Sequence, residues 1–259
     1  MKIVCIQMDT EFCCPPENFR RASQLCEKAM EEQPDVIVLP ETWNTGFFPR
    51  ENHAELCDCE GTRTRQQFSA LAERYHVNII AGSVSDLRDR KLSNTAFVLD
   101  RTGACIATYD KTHLFSPMGE DRVYTPGDHL CCFTLDGISC AILICYDIRF
   151  PELSRALALP GLDMLFVVSQ WPAARIGHLR TLAAARAIEN QVFLVCCNGC
   201  GTAGATLYGG SSMILDPWGK VLAQAGEQEQ LLSAQCDLGI LPKLRSTIPV
   251  FQDRRPELY

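Results

Sequence analysis

Apolar residues recur along this chain with two periods, one typical of buried strands and one typical of helices. Short continuous apolar runs indicate strands covered on both faces, and apolar residues at every third or fourth position indicate helices that cover a sheet. The predicted strands are residues 2–8, 35–39, 77–84, 164–169 and 192–198. The predicted helices are residues 17–32, a helix through 68–75, residues 151–159 and residues 176–190.

Three further segments read as β-hairpins, because two strand-like runs flank a short turn sequence. They are residues 96–111 with a turn at 101–103, residues 131–145 with a turn at 136–137, and residues 211–223 with a turn at 216–219. Hairpins mixed with crossover helices predict mixed sheets with helices packed outside. Since no linker, low-complexity tract or repeat interrupts the pattern, we expect one α/β domain over residues 1–259.

Length and charge narrow the classes of function. A chain of 259 residues is within the range of a single α/β domain. Its 24 basic and 31 acidic residues give a formal net charge of −7, which argues against a nucleic-acid or anionic-membrane partner. No apolar run approaches the ~18 residues that a membrane-spanning helix needs, and the first residues do not resemble a signal peptide. We therefore expect a soluble, cytoplasmic protein.

The chain contains 15 cysteines, an unusually high number. Because the number is odd and no export signal precedes them, reduced thiols are favoured over a disulfide framework. Two close pairs, Cys197 with Cys200 and Cys57 with Cys59, leave open a thiol-rich redox or zinc-binding protein. The sequence has neither a phosphate-cradling glycine loop nor a His-rich ligand set, so we expect no metal and no organic cofactor.

Three reactive residues each follow an apolar strand: Glu41, Lys111 and Cys145. In α/β folds ligands bind at the carboxyl ends of strands, so these side chains could meet in one pocket. A thiol needs a base or a nearby cation to become a nucleophile, and a cation also stabilises the oxyanion of a tetrahedral intermediate. Taken alone, each residue has an ordinary alternative: a turn cap, a solvated hairpin end and a core thiol.

The sequences around these residues, LPETW, YDKTHLF and ICYDIRFPE, resemble the three signature blocks of the nitrilase (carbon–nitrogen hydrolase) superfamily. The resemblance extends through WPAAR, ARAIENQ, DPWGKV and IPVFQDRRPELY to nearly the whole chain. It implies a four-layer α-β-β-α sandwich with two mixed β-sheets. It also implies that Glu41 is the general base, Lys111 the oxyanion-stabilising cation and Cys145 the nucleophile. Glu120 matches a second glutamate that orients the lysine and the substrate in this family.

Within the superfamily, HLFSPMGEDRVY and QWPAAR are most similar to the ω-amidase branch. That branch hydrolyses the terminal amide of 2-oxoglutaramate or 2-oxosuccinamate, which implies a small amide substrate, a cysteine thioester and release of ammonia. Such a substrate carries a carboxylate, for which Arg175 is the first candidate partner and Arg149 the second. Trp171 and Tyr146 are candidate pocket walls. An N-carbamoyl amino acid amidohydrolase or a nitrilase remains an alternative within the superfamily.

Other polar residues near these motifs have structural explanations. For Arg149 an ion pair with Glu152 is favoured over its second-candidate role as substrate partner, and we expect Asp147 to anchor the turn after Cys145. Arg186 and Glu189 are expected to position the helix over residues 176–190.

The same helix, residues 176–190, predicts an assembly of subunits. Its apolar residues lie around most of its circumference, and a helix that is apolar on more than one side must bury more than one side. Its alanines allow close approach of a second helix, and relatives in the superfamily associate through helices here. We therefore expect a homodimer or a higher even homo-oligomer.

Overall fold

In the computed structural model, which describes residues 1–47 and 52–258, two β-sheets lie face to face and carry helices on their outer surfaces. The strands are β1 (Lys2–Gln7), β2 (Val36–Val38), β3 (Asp58–Cys59), β4 (Asn78–Arg88), β5 (Lys91–Leu99), β6 (Cys105–Asp110), β7 (Cys132–Leu135), β8 (Ile138–Ile144), β9 (Met164–Ser169), β10 (Phe193–Asn198), β11 (Cys200–Ala203), β12 (Thr206–Gly209), β13 (Met213–Leu215), β14 (Val221–Gln224) and β15 (Gln230–Gln235). The α-helices are α1 (Pro15–Ala29), α2 (His53–Leu56), α3 (Thr62–Tyr75), α4 (Pro151–Ala158), α5 (Ile176–Asn190) and α6 (Leu241–Thr247).

Both sheets are mixed, as the combination of hairpins and crossover helices predicts. The first sheet has the order β15-β1-β2-β4-β5-β6, with β3 paired to β4, and its central strands β1, β2 and β4 are parallel. The second has the order β14-β13-β10-β9-β8-β7, with β8, β9 and β10 parallel. A separate two-stranded sheet, β11 with β12, follows β10. Parallel central strands bring their carboxyl ends to one edge of each sheet.

The alternation of side chains in β1 explains the layers. Ile3 and Cys5 pack in the core between the two sheets, whereas Val4 and Ile6 point the other way, into the core formed with α1 and α3. On the second sheet, α4 and α5 supply the outer layer through apolar residues such as Leu179. The predicted α-β-β-α sandwich is therefore confirmed.

The structure differs from the predicted boundaries most clearly in β4 and β5. Instead of a strand that stops at residue 84, β4 continues to Arg88 and turns tightly into β5 at Lys91. The turn residues Asp89 and Arg90 both have positive φ, 49° and 64°, which suits a hairpin turn but is uncommon for residues other than glycine. The hairpin was not predicted because its sequence is polar, although most of these polar side chains are buried.

Four further elements, β11, β12, β15 and α6, are not predicted, because their short, glycine-containing or polar sequences lack a clear period. Residues 48–51 and 259 of the predicted domain lie outside the described residues. None of the described helices combines the length and the apolar character that crossing a bilayer requires.

Candidate active site

Three strand ends bring Glu41, Lys111 and Cys145 to one place between the two sheets. Glu41 lies shortly after β2, Lys111 directly after β6, and Cys145 directly after β8 of the second sheet. The side chains of Glu41 and Lys111 are fully buried, and Cys145 is 8% exposed. The side chains expected to meet from their positions at strand ends do lie together.

Lys111 is held by two carboxylates. Its Nζ lies 2.8 Å from Glu41 Oε1, 2.9 Å from Glu120 Oε1 and 2.8 Å from Glu120 Oε2. Burial alone would lower the pKa of the Lys111 ammonium, but the charges of Glu120 and Glu41 outweigh it and raise that pKa well above its ordinary value. Burial raises the pKa of the Glu120 carboxyl despite the attraction of Lys111. Lys111 is therefore a permanent cation at neutral pH.

Glu41 is held by two residues that no sequence motif singles out. Asn94 Nδ2 on β5 donates a hydrogen bond to Glu41 Oε1 at 2.9 Å, and the backbone N–H of Gln170 donates to Glu41 Oε2 at 2.8 Å. Gln170 follows β9 of the second sheet, so this carboxylate links both sheets. Neither contact was visible in the sequence, because one depends on strand register and the other on a backbone group.

Cys145 begins a tight turn that Asp147 anchors. Cys145 has φ +48° and opens a 3₁₀-helix, Cys145–Arg149. The Asp147 carboxylate accepts hydrogen bonds from Ile144 N at 3.1 Å, Tyr109 Oη at 2.8 Å and His113 N at 2.9 Å. These donors come from both sides of the site, so Asp147 ties the turn at Cys145 to the end of β6. The predicted anchoring role of Asp147 is confirmed.

The thiol of Cys145 is neutral in this arrangement. Burial raises its pKa, the neighbouring Glu41 carboxylate raises it further, and Lys111 offsets only part of the increase, so the pKa lies well above its ordinary value. A nearby cation such as Lys111 favours a thiolate, but the negative charge of Glu41 outweighs that effect here. The thiol must therefore lose its proton during a reaction rather than before it.

A cleft of about 330 Å³, including its open mouth, lies over the Cys145 thiol. Its lining includes all four residues predicted to contact a substrate: Tyr146, Arg149, Trp171 and Arg175. The Arg149 guanidinium lies 4.7 Å from the centre of the Trp171 ring. The Arg175 guanidinium lies 5.5 Å from the Phe115 ring, and Trp171 Nε1 donates a hydrogen bond to the Arg175 carbonyl at 2.9 Å. The cleft thus combines a thiol, aromatic walls and two guanidinium groups.

The model of the family "Carbon-nitrogen hydrolase" matches residues 2–245. The chain belongs to the carbon–nitrogen hydrolase family. It is 40% identical to the 2-oxoglutaramate amidase of Bacillus subtilis over 99% of this chain and 98% of the relative. It is 32% identical to an omega-amidase of Xenopus tropicalis over 94% of this chain and 91% of that relative. These relatives support a hydrolase that acts on amides.

Two solved structures share the fold of this hydrolase. A CN-hydrolase superfamily protein of Xanthomonas campestris, with an arsenic adduct in its active site, superposes with a TM-score of 0.91 and 30% identity over 98% of this chain and 97% of that one. An alanine-for-cysteine variant of an amidase from Nesterenkonia sp. AN1, in complex with butyramide, superposes with a TM-score of 0.86 and 25% identity over 100% of this chain and 95% of that one.

The two arginines of the cleft in this hydrolase have no carboxylate partner among the described residues. The predicted ion pair between Arg149 and Glu152 is wrong: Arg149 instead lies against Trp171, with Nη2 3.4 Å from His178 Nδ1. Arg175 forms no ion pair with a described acidic residue. The site therefore offers positive charge to an anionic ligand.

The other predicted structural pair is present in this hydrolase. Arg186 Nη1 lies 2.9 Å from Glu189 Oε1, and Arg186 Nε donates to the Ile148 carbonyl at 2.9 Å. Helix α5 is thereby attached to the 3₁₀-helix that Cys145 opens, which confirms the expected role of Arg186 and Glu189.

The cysteines of this hydrolase do not assemble a metal site. All 15 are free thiols, and within residues 1–47 and 52–258 no group of three or more His, Cys, Asp or Glu side chains could hold a metal ion. Cys197 and Cys200 are buried in the protein, whereas Cys59 is exposed. The predicted alternative of a zinc site built from the two cysteine pairs is therefore wrong for the described chain.

Proposed function

We propose that this hydrolase cleaves the terminal amide of a small α-keto acid, of the 2-oxoglutaramate or 2-oxosuccinamate type. The observation that carries the proposal is the pair of guanidinium groups, Arg149 and Arg175, without carboxylate partners in the cleft over Cys145. The 40% identity to a 2-oxoglutaramate amidase over nearly the whole chain supports it.

In the proposed reaction Glu41 is the general base, and its Oε2 atom accepts the proton. Oε1 already accepts two hydrogen bonds, from Lys111 Nζ and Asn94 Nδ2, whereas Oε2 accepts one, from the Gln170 N–H. A carboxylate oxygen has two lone pairs, so Oε2 retains one for the thiol proton. The Glu41 carboxylate lies close enough to the Cys145 thiol to raise its pKa, which supports a direct transfer between them.

The proposed reaction has two steps, formation of a thioester on Cys145 and hydrolysis of that thioester. Cys145 Sγ bonds to the amide carbon as Glu41 takes its proton, and the carbonyl oxygen acquires a negative charge that Lys111 stabilises. The C–N bond breaks, nitrogen takes the proton from Glu41 and leaves as ammonia, and a thioester remains. Water then attacks the thioester and gives a proton to Glu41, which returns it to the thiol as the acid leaves. Glu120 is proposed to orient Lys111 toward the substrate.

Arg175 is the proposed partner of the substrate carboxylate, with Arg149 as the second candidate. A planar guanidinium binds a carboxylate through two parallel hydrogen bonds and so fixes the distance to the scissile amide. The stretch of backbone that carries Arg175 is held by Trp171, whose Nε1 donates to the Arg175 carbonyl. Tyr146 and Trp171 are proposed to form walls of the pocket that contact the substrate.

The proposed substrate is tested by measuring ammonia release from 2-oxoglutaramate, pentanamide, an N-carbamoyl amino acid and a nitrile. We expect the keto acid amide to have the highest kcat/KM. Arg175→Ala should lower that value roughly 30- to 1000-fold, because truncation leaves a charged group unpaired in the complex. The same variant should have nearly the wild-type kcat/KM for pentanamide, which carries no carboxylate and is therefore the matched control.

Two outcomes of that panel would separate the alternatives. Wild type that shows no preference for the acid over pentanamide, or that prefers the ureide or the nitrile, contradicts the proposed substrate class. A preference that survives Arg175→Ala contradicts only the role of Arg175, and Arg149→Ala is then the variant to measure.

We also propose that the hydrolase is a homodimer or higher even homo-oligomer, joined through α5 and the neighbouring β13–β14 turn. Ile188 at the end of α5, Trp218 in the turn and Val221 on β14 are 50%, 54% and 47% exposed. A Cβ atom added at Gly219 would lie 2.6 Å from Ile188 Cδ1, so the turn and α5 adjoin and these apolar side chains share one surface. A second copy of the chain is the proposed occupant of this surface.

A reducing, cytoplasmic location is proposed because 15 free thiols suit such a compartment.

A further inference from the structure

The hydrogen bonds of Lys111 pose a problem for its proposed role. An ammonium has three N–H donors, and all three of those on Lys111 are directed at carboxylate oxygens: Glu41 Oε1, Glu120 Oε1 and Glu120 Oε2. To stabilise the oxyanion of a substrate, Lys111 must give up at least one of these bonds. A buried carboxylate oxygen that loses its donor is costly, since nothing replaces the lost solvation.

Each of these three oxygens has a second donor that carries no charge. Asn94 Nδ2 donates to Glu41 Oε1 at 2.9 Å and to Glu120 Oε1 at 3.3 Å. The backbone N–H of Phe115 donates to Glu120 Oε2 at 2.6 Å. Lys111 can therefore leave any one of its partners without exposing a bare carboxylate oxygen.

Asn94 supplies two of the three substitute donors, and the strand register fixes where it lies. Thr95 on β5 pairs with Asp110 at the end of β6, and the next residue, Lys111, donates its backbone N–H to the Asn94 carbonyl at 2.9 Å. The Asn94 side chain is fully buried, and its nitrogen faces both carboxylates. A carboxylate side chain at this position would add a third negative charge, and an apolar one would offer no donor.

We propose that Asn94 is a positioning residue that keeps both carboxylates hydrogen-bonded while Lys111 turns toward the substrate oxyanion. The proposal rests on the proposed amide hydrolysis at Cys145 and adds a residue to it. Asn94 acts through Glu41, Glu120 and Lys111 and does not touch the substrate. Its loss should therefore slow the steps with an oxyanion and change substrate binding little.

The test compares Asn94→Ala and Asn94→Ser with wild type, using 2-oxoglutaramate and steady-state kinetics. Alanine offers no donor and serine offers one in place of two, while both leave a cavity of similar size. We expect kcat to fall roughly 10- to 100-fold in Asn94→Ala, to fall less in Asn94→Ser, and KM to change less than about threefold in both. A purely structural effect of the cavity would lower kcat equally in the two variants.

Asn78→Ala is the matched control. Asn78 is also buried on the first sheet and also donates twice from Nδ2, to the Asp35 carbonyl and to Asp136 Oδ2, but it lies at the start of β4, away from Glu41. The kcat of Asn78→Ala should stay near the wild-type value. The thermal midpoints of all three variants are compared by circular dichroism.

The outcomes distinguish this proposal from the proposed function. Active wild type with an unchanged kcat in Asn94→Ala, or equal losses in the alanine and serine variants, overturns the role of Asn94 alone. If Asn94→Ala does not fold, the serine variant decides: a reduced kcat with unchanged KM supports the proposal, and a wild-type kcat overturns it. Wild type that releases no ammonia from any amide overturns the proposed function itself.

Discussion

At the scale of single residues, the proposed nucleophile Cys145 is unusual because its neighbour Glu41 raises the pKa of its thiol. Burial contributes most to that increase, Glu41 adds to it, and Lys111 opposes it. The proposed base therefore stabilises the protonated thiol at rest and removes its proton only when the substrate is attacked. Nucleophile activation and thiolate stabilisation are thus separate properties of this site.

Glu41→Gln separates these two properties. The variant should lose at least ~10²-fold in kcat for 2-oxoglutaramate, the usual effect of losing general-base catalysis. Its Cys145 should be alkylated by iodoacetamide at neutral pH at least as fast as in wild type, because one cause of the raised pKa is gone and Lys111 remains. Labelling is measured by peptide mass spectrometry.

The exposed thiol of Cys59 serves as the internal control in both proteins, because it lies outside the site and its labelling should not change. Turnover near the wild-type value in Glu41→Gln would show that another group is the base. Slower labelling of Cys145 in the variant would show that Glu41 favours the thiolate.

At the scale of elements, strongly periodic segments were predictable. The predicted strand over 164–169 and the predicted helix over 176–190 coincide with β9 and α5, since a continuous apolar run and a helical apolar pattern each have few alternatives. The β4–β5 hairpin was not predictable in this way. Its polar residues are buried through specific hydrogen bonds. Its turn has positive φ at Asp89 and Arg90, a conformation that these residue types do not predict.

The residues of the candidate site also divide into predictable and unpredictable ones. Glu41, Lys111 and Cys145 could be predicted together because each follows an apolar strand, and strand ends meet at one edge of a sheet. Asn94 lies inside β5, and its importance depends on which residue of β6 it faces. Gln170 acts through its backbone N–H, which every residue other than proline possesses. Contacts of these two kinds depend on register and on sheet packing, and a single sequence does not reveal them.

At the scale of the whole molecule, the site lies where the two sheets meet, and Glu41 bonds to groups from both. Glu41 comes from the first sheet and accepts the N–H of Gln170 from the second. Helix α5, attached to the 3₁₀-helix after Cys145 through Arg186, carries the proposed contact between subunits on its other side. The proposed assembly would thus be joined to the site through one helix.

The proposed assembly predicts that light scattering at micromolar concentration gives at least twice the 28.8 kDa mass of one chain. Trp218→Glu should shift the protein toward monomer, because it places a charge in an apolar contact. Ile106→Glu is the control, since Ile106 is also partly exposed but lies on β6 of the first sheet. A wild-type mass of 28.8 kDa at that concentration would contradict the assembly.

The most direct test of catalysis through Cys145 is to trap the acyl-enzyme. Wild type is quenched in acid during turnover of 2-oxoglutaramate, digested and examined by mass spectrometry. We predict the acyl group of the substrate on the peptide that contains Cys145, and its removal by hydroxylamine, as expected for a thioester. We predict neither acyl group nor ammonia release in Cys145→Ala. An acyl group on another cysteine, or wild-type ammonia release by Cys145→Ala, would contradict it.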